Sequence, residues 1–214
     1  MEEKLMDLRS TRNPKARIKI LEGHFATSNS HINVYIDMST VKCRHNNARE
    51  TARVLAGYFL NNTVVDTIVC LDGTEVIGAY LAEMLADKAI MSLNSGKNIS
   101  IITPGTNSYG QFIFMDNTQR MIRNMQVLVL AASVTTGRTI EHAVQAVSYY
   151  GGTVRGIGAI FSNVDKTRDG MEICSVFHKE DLPDYQAYKA SECPLCRKKY
   201  PIDAIVNSLG YSKL

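Results

Sequence analysis

The sequence predicts an α/β fold in which a parallel, twisted sheet is flanked by helices. Strand-like and helix-like segments alternate from about residue 64 to residue 177, which is the order typical of a parallel sheet. Residues 127–131 (VLVLA) are all apolar, as expected for a strand that is buried on both faces. Apolar side chains at positions 140, 143, 144 and 147 then follow helical spacing. We therefore expect the core of the fold to lie within residues 47–177.

The other elements follow from the same patterns. Alternation predicts a strand over residues 31–38, and Asn47 with Glu50 suggests a capping box that opens a helix ending near residue 59. The paired glycines at 151–152 are in the usual place for a helix stop. Both terminal segments, 1–46 and 178–214, are expected to form a small hood within the same single domain. Further strands are predicted at 64–71, 89–93, 99–103, 111–115, 154–161 and 173–177, and further helices at 15–21, 74–87 and 201–210.

Composition excludes several classes of protein. The 214 residues include 24 Lys and Arg and 21 Asp and Glu, and a net charge of +3 gives no electrostatic case for nucleic acid or an anionic membrane. The basic cluster at 197–199 is the one feature that favours nucleic acid, and such clusters are usually solvated. Five cysteines without framework spacing indicate reduced thiols and a cytoplasmic protein. The charged start predicts no signal peptide, and no apolar run reaches the ~18 residues of a membrane span.

A phosphate-binding turn is predicted at residues 133–139 (SVTTGRT), between the buried strand and the next helix. Backbone N–H groups at a helix start have no intrahelical partner and carry partial positive charge, which suits a phosphate dianion. Gly137 would let the backbone approach a ligand closely. The alternative is an ordinary strand-to-helix turn with Thr as the cap. The residues assigned to the phosphate are Ser133, Thr135, Thr136, Gly137, Arg138 and Thr139.

This turn resembles the signature of type I phosphoribosyltransferases, in which Thr-Thr-Gly-x-Thr holds the 5′-phosphate of phosphoribosyl pyrophosphate. Residues 23–25 (GHF), followed by His31 and Tyr35, resemble the N-terminal segment of the orotate phosphoribosyltransferase branch. Residues 193–196 (CPLC) resemble a segment near the end of some members. The resemblance implies Mg²⁺ bound with the donor, phosphoribosyl transfer to a base, and a homodimer.

The chain departs from the family pattern where the reaction would occur. The resemblance implies two acidic residues that contact the ribose hydroxyls, and these positions are Ala131 and Ala132 here. A charged hydrogen bond contributes about 1.5–3 kcal/mol, so the loss of two would lower affinity or rate strongly. The loop at 103–110, which aligns with a basic mobile loop of orotate enzymes, has no basic residue.

Two further site assignments rest on this resemblance. The pyrophosphate loop of the family aligns with Asp72, Gly73 and Thr74, followed by Glu75, although Thr74 and Glu75 are also good residues for simply opening a helix. The base-binding arginine of the family aligns with Lys166, which offers a point charge in place of a planar fork.

Cys193 and Cys196 suggest a zinc site, because a C-P-x-C turn followed by basic residues is typical of a zinc knuckle. Structural zinc requires four ligands, and the other two could come from Cys174 with His178 or from Cys43 with His45. The alternative is a pair of reduced cysteines that pack a turn.

Two functions remain open from the sequence. One is a phosphoribosyltransferase-like enzyme that binds phosphoribosyl pyrophosphate or a nucleotide. The other is a non-catalytic sensor that keeps the 5′-phosphate turn and has lost the groups that promote the reaction.

Overall fold

The computed structural model describes residues 5–28, 30–89, 91–207 and 210–214. Within these ranges the chain forms a five-stranded sheet, a six-stranded sheet and a two-stranded hairpin. No helix in the described ranges has the length and apolar character needed to cross a bilayer.

The five-stranded sheet is parallel and forms the centre of the fold. Its strands are β4 Thr67–Cys70, β5 Ser100–Ile102, β8 Gln126–Val134, β9 Thr153–Ser162 and β10 Ile173–His178. The strand order is β10-β9-β8-β4-β5, with β8 in the middle. Every residue of β4 and most residues of β8 are buried, because helices cover both faces of the sheet. These strands and their parallel pairing confirm the predicted fold class.

Helices cover the sheet as the apolar stripes predict. Helices α2 (His45–Phe59) and α3 (Glu75–Ala86) pack together on one face, and α5 (Arg138–Tyr149) packs on β8 and β9 from the other. Helix α5 ends before Gly151, whose φ of 81° is the left-handed conformation expected after a helix. Three short helices complete the set: α1 (Ser39–Cys43), α4 (Asp116–Gln119) and α6 (Pro194–Arg197).

The six-stranded sheet, which we call the hood, is built from both terminal segments. Strands β2 (Arg17–Ala26) and β3 (His31–Asp37) form its antiparallel centre, and β12 (Ala204–Asn207) pairs in parallel with β2. The register of β2 and β3 shifts between Glu22 and Phe25, which marks an irregularity at Gly23 and His24. The remaining strands are β1 (Met6–Arg9), β11 (Ala187–Tyr188) and β13 (Gly210–Lys213).

Several predicted elements are wrong, and all lie near an end of the chain or in a connection. Residues 17–21 of the helix predicted at 15–21 belong to strand β2, and the helix predicted at 201–210 is replaced by strands β12 and β13 in its described part. The strand predicted at 89–93 is absent from its described residues, and Ile90 lies outside them.

The predicted capping box is also absent. Helix α2 begins at His45 rather than Asn47, and its N-cap has no side-chain hydrogen bond. The Glu50 carboxylate instead accepts hydrogen bonds from Asn13 at 2.8 Å and from Arg53 at 2.7 Å.

The last part of the fold is a hairpin beside the sheet edge. Strand β6 (Gly105–Thr106) pairs with β7 (Phe112–Ile113), so a hairpin strand forms within the predicted 111–115 segment. The Asn107 side chain accepts hydrogen bonds from the backbone N–H groups of Tyr109 and Gln111, which fixes the turn.

Candidate functional site

A cavity of about 360 Å³ lies between the carboxyl ends of the central strands and the hood. Ligands of open α/β sheets bind at this edge, because the connecting loops diverge there. Ser133, Thr135 and Thr139 line one side of the cavity. Hood residues, including Ile32 and Val34, line the opposite side. The predicted phosphate turn therefore opens into a space that is large enough for a small ligand.

The phosphate turn has the geometry of an anion cradle. Strand β8 ends at Val134 and α5 begins at Arg138, with Gly137 between them at a φ of 81°. Side chains with a Cβ rarely adopt that angle, so glycine at this position has a conformational cause. The first N–H groups of α5 have no acceptor within the helix. Thr136, Arg138 and Thr139 are exposed, so the start of the helix is open to a ligand.

The loop predicted to contact pyrophosphate only partly faces the cavity. Asp72 and Gly73 both have positive φ, at 57° and 79°, and Asp72 lines the cavity. Thr74 is fully buried, and its hydroxyl donates to the carbonyl oxygens of Leu71 at 2.9 Å and Leu130 at 3.1 Å. Thr74 therefore ties the loop to the middle of β8, and its side chain is not available to a ligand.

Replacement of Thr74 tests this internal role. We expect Thr74→Val to lower the free energy of unfolding by about 1–2 kcal/mol. Valine has a similar shape but no hydroxyl, so the hydrogen bonds to the carbonyl oxygens of Leu71 and Leu130 are lost. The matched control is Thr136→Val in the exposed turn, which we expect to change stability by less than about 0.5 kcal/mol. Urea denaturation of the ligand-free variants measures both values. Equal stability of the two variants would contradict the assignment.

Lys42 is a cavity residue that the sequence patterns do not reveal. It lies on α1, which follows a hood strand, and its Nζ donates to the Asp72 carbonyl oxygen at 3.0 Å. Burial raises the pKa of the Asp72 carboxyl, with Glu75 adding to the rise and Lys42 opposing it. The Glu75 carboxylate accepts a hydrogen bond from Thr103 at 2.7 Å. Lys42 and Asp72 thus bring one basic and one acidic side chain to the cavity.

Ala131 and Ala132, which replace the two acids of the family pattern, point to opposite faces of β8. Ala132 is 5% exposed, lines the cavity and belongs to the core cluster on the α2 and α3 side. Ala131 is 1% exposed and belongs to the cluster on the α5 side. This alternation is the normal pleat of a strand. Of the two replacements, only Ala132 therefore presents a methyl group to the cavity where the resemblance implies a carboxylate.

Aromatic side chains form the apolar part of the cavity wall. The rings of Phe161 and Tyr185 meet edge to face with centroids 5.1 Å apart, and Tyr35 lines the same space from the hood. Burial raises the pKa of Tyr185 to about 12, so its phenol stays protonated at neutral pH. Such a surface suits a planar ring. Sequence patterns do not reveal Tyr185 as a cavity residue, because it follows the last core strand in an irregular segment.

The predicted base-binding residue is Lys166. It is not among the residues that line the cavity. Its Nζ is 3.8 Å from the Glu172 carboxylate, and both side chains are largely exposed. The nearby Arg168 pairs with Glu141 at 3.2 Å. Arg168, two residues after Lys166, therefore lies beside the first turn of α5.

Cys193 and Cys196 lie close together, but neither predicted partner pair joins them. They meet His24 of β2 and His31 of β3, and the four ligand atoms all lie within 4.8 Å of one another. His178 instead contacts Ser175 at 2.9 Å and Tyr58 at 3.4 Å. Among the described residues, this group of four is the one cluster with metal-binding potential. The proposed partners Cys174 with His178 and Cys43 with His45 are therefore wrong.

Comparison with known proteins finds both similar sequences and similar structures. No protein-family model matches the chain. The orotate phosphoribosyltransferase of Chlorobaculum parvum is 25% identical over 186 residues, covering 86% of this chain and 88% of that protein. The crystal structure of the Aeropyrum pernix orotate phosphoribosyltransferase has a TM-score of 0.54 at 19% identity, covering 77% of this chain and 90% of that one.

A second solved structure shares the fold but is named for a different base. The adenine phosphoribosyltransferase from Thermoanaerobacter pseudethanolicus has a TM-score of 0.51 at 15% identity, covering 83% of this chain and 96% of that one. At these identities the solved structures support the fold alone. Sequence and fold together make this chain a phosphoribosyltransferase-like protein that resembles the orotate phosphoribosyltransferases.

Proposed function

We propose that the protein binds a 5′-phosphorylated ribose, as phosphoribosyl pyrophosphate or a nucleotide, in the cavity below the hood. One observation carries the proposal: the exposed start of α5 opens into a cavity whose other walls combine aromatic rings with one basic and one acidic side chain. The 5′-phosphate would accept hydrogen bonds from the backbone at 135–139 and from the hydroxyls of Thr135 and Thr139. The planar part of the ligand would lie near Phe161 and Tyr185.

Mg²⁺ fits this arrangement as a companion of the donor. Magnesium in phosphate sites is held by one or two carboxylates together with phosphate oxygens and water. Asp72 lines the cavity and is the carboxylate that would hold the ion, with the pyrophosphate supplying the other oxygens. Bound there, the ion would neutralise charge on the pyrophosphate. Gly73 of the same loop and Lys42 of α1, which donates to the Asp72 carbonyl oxygen, would stand beside the ion.

Phosphoribosyl transfer is the reaction that this site would support. A ring nitrogen of the base attacks the anomeric carbon and loses its proton to solvent, the bond from that carbon to the pyrophosphate oxygen breaks, and pyrophosphate leaves with the electron pair. The cavity would contribute by holding the phosphate and the ring in line. Lys166 is not among the residues that line the cavity, so the proposal leaves the base open.

The second candidate is a non-catalytic sensor of the same ligand. Two observations favour it: Ala132 presents a methyl group where the family pattern implies a carboxylate, and the loop at 103–110 has no basic side chain to meet a leaving pyrophosphate. Contacts to the 5′-phosphate bind ground state and transition state alike. A protein that keeps those contacts and lacks the others would bind without fast turnover.

A base panel separates the two candidates. Pyrophosphate release is measured with phosphoribosyl pyrophosphate, Mg²⁺ and each of the common purine and pyrimidine bases, beside an active orotate phosphoribosyltransferase as the positive control. We expect saturable binding of the donor and orotate transfer that is weak or absent. Turnover of about 1 s⁻¹ or faster with any base would reject the sensor and establish the enzyme. The proposal includes a cytoplasmic location and a homodimer. Sedimentation of the purified chain tests the dimer.

A further inference from the structure

Two histidines of the hood and two cysteines, one at the start of α6 and one within it, have the spacing of a tetrahedral metal site. His24 Nε2 lies 3.1 Å from His31 Nδ1 and 3.5 Å from the sulfur atoms of both Cys193 and Cys196. Cys196 Sγ lies 3.2 Å from His31 Nδ1. With Zn–N near 2.05 Å and Zn–S near 2.3 Å, a regular tetrahedron separates two nitrogens by about 3.3 Å and a nitrogen from a sulfur by about 3.6 Å. The observed distances lie within a few tenths of an ångström of those values.

The ring of His24 is oriented as a metal ligand would be. Its Nδ1 lies 3.1 Å from the carbonyl oxygens of both Tyr200 and Pro201. Carbonyl oxygens only accept hydrogen bonds, so Nδ1 carries the proton and Nε2 turns its lone pair toward the cluster. A backbone carbonyl that fixes the tautomer in this way is a common outer partner of histidine ligands.

The backbone around the cluster is built to bring these residues together. Gly23 and His24 lie where the β2 and β3 register shifts, and such irregularities redirect a side chain. A Cβ at Gly23 would come within 2.7 Å of the Asp203 carboxylate, so glycine is needed for the close approach. That carboxylate accepts from the His24 N–H at 2.8 Å, and the Asp203 N–H donates to the His24 carbonyl at 2.8 Å.

From this geometry we propose a structural zinc site formed by His24, His31, Cys193 and Cys196. Two imidazoles and two thiolates in a tetrahedron select zinc over harder ions. On binding, each thiol releases its proton to solvent, and the two thiolates balance the charge of Zn²⁺. Four protein ligands leave no open position for substrate, which makes the site structural.

The zinc would fasten the carboxyl-terminal segment to the hood. Strand β12 pairs with β2 through only two registered pairs, Ala204 with Phe25 and Ile205 with Ala26. His24 and Cys193 are buried, at 3% and 1% exposure, whereas Cys196 is exposed, so the cluster reaches from the interior of the hood to its surface. None of the four ligands lines the phosphate cavity, although Val206, three residues beyond Asp203, does. The site therefore supports the cavity wall without taking part in the chemistry.

Metal analysis of the untagged full chain tests the proposal. We expect about one zinc per chain after gel filtration. Cys193→Ser and Cys196→Ser are each expected to lower that content at least about tenfold. The matched controls are Cys43→Ser, a free and exposed cysteine, and His142→Asn, an exposed histidine, which should both keep the wild-type content. Serine variants that retain zinc would overturn the proposal.

A second measurement covers the case in which the serine variants fail to fold. Wild-type protein is stripped with a chelator and titrated with Co²⁺, and the expected result is the visible absorption of tetrahedral cobalt with thiolate charge transfer, abolished by one equivalent of Zn²⁺. Limited proteolysis of the stripped protein should cut faster within residues 198–214, and added Zn²⁺ should reverse the change. A folded wild-type chain that contains no metal and takes up neither ion would overturn the proposal, as would a Cys193–Cys196 disulfide in the purified protein.

Discussion

Thr139→Asp is expected to abolish ligand binding while the protein becomes no less stable. Thr139 is the second residue of α5, lines the cavity and is exposed. A carboxylate in a first helical turn stabilises a helix by about 0.3–1 kcal/mol. The same carboxylate would meet a phosphate dianion at the same helix end. Two like unit charges 4 Å apart repel by about 4 kcal/mol at an effective dielectric constant of 20.

The expected loss of affinity for phosphoribosyl pyrophosphate is at least about 100-fold, or about 2.7 kcal/mol. Titration calorimetry measures it, and thermal unfolding should show an unchanged or higher Tm. The conservative control Thr139→Ser keeps a hydroxyl and should bind within a few-fold of wild type. Gln145→Glu adds the same charge in the exposed middle of α5 and should leave affinity intact. Unchanged affinity in Thr139→Asp would show that the phosphate does not bind at this turn.

Ala132→Asp is expected to raise phosphoribosyl transfer, whereas Ala131→Asp is expected to damage the fold. The carboxylate introduced by Ala132→Asp would enter the cavity beside Ser133, where the family pattern implies a contact to ribose hydroxyls. A charged hydrogen bond of about 1.5–3 kcal/mol corresponds to a gain of about 10- to 150-fold if it is made in the transition state. Steady-state assays with each base measure the gain.

The neighbouring position supplies the contrast. Ala131→Asp would place a carboxylate in the apolar cluster between the sheet and α5, and we expect it to cost at least about 2–3 kcal/mol of unfolding free energy. Ala132→Asn, of the same shape without the charge, should give no gain in transfer. If Ala132→Asp stays inactive while the donor still binds, the missing carboxylate is not what limits the reaction.

The central sheet was predictable because its strands are buried on both faces. In such a strand nearly every residue is apolar, so the segments 127–131 and 154–161 were apparent without any knowledge of their partners. The position of the phosphate turn was predictable for the same reason, because it lies between the end of one buried strand and the start of one amphipathic helix. The local sequence is enough to locate both the strand end and the helix start.

The hood was not predictable in the same way, because distant partners decide its strands. Ile202, Ile205 and Val206 have helical spacing, yet the segment is extended and pairs with β2, about 180 residues earlier. In the strand Ala204 and Val206 are buried and Ile205 is exposed, an alternation that the sequence does not reveal because all three side chains are apolar. Likewise, His24 and His31 meet Cys193 and Cys196 only through this long-range pairing, so spacing alone could not select them over nearer histidines.

The most direct test compares wild-type binding of ribose 5-phosphate with that of ribose by titration calorimetry. The phosphate turn is proposed to supply the binding, so ribose 5-phosphate should saturate one site per chain, and ribose should give no measurable heat at the same concentrations. Thr139→Asp should eliminate the ribose 5-phosphate signal. Equal binding of both sugars, or ribose 5-phosphate binding that survives Thr139→Asp, would contradict recognition through this turn.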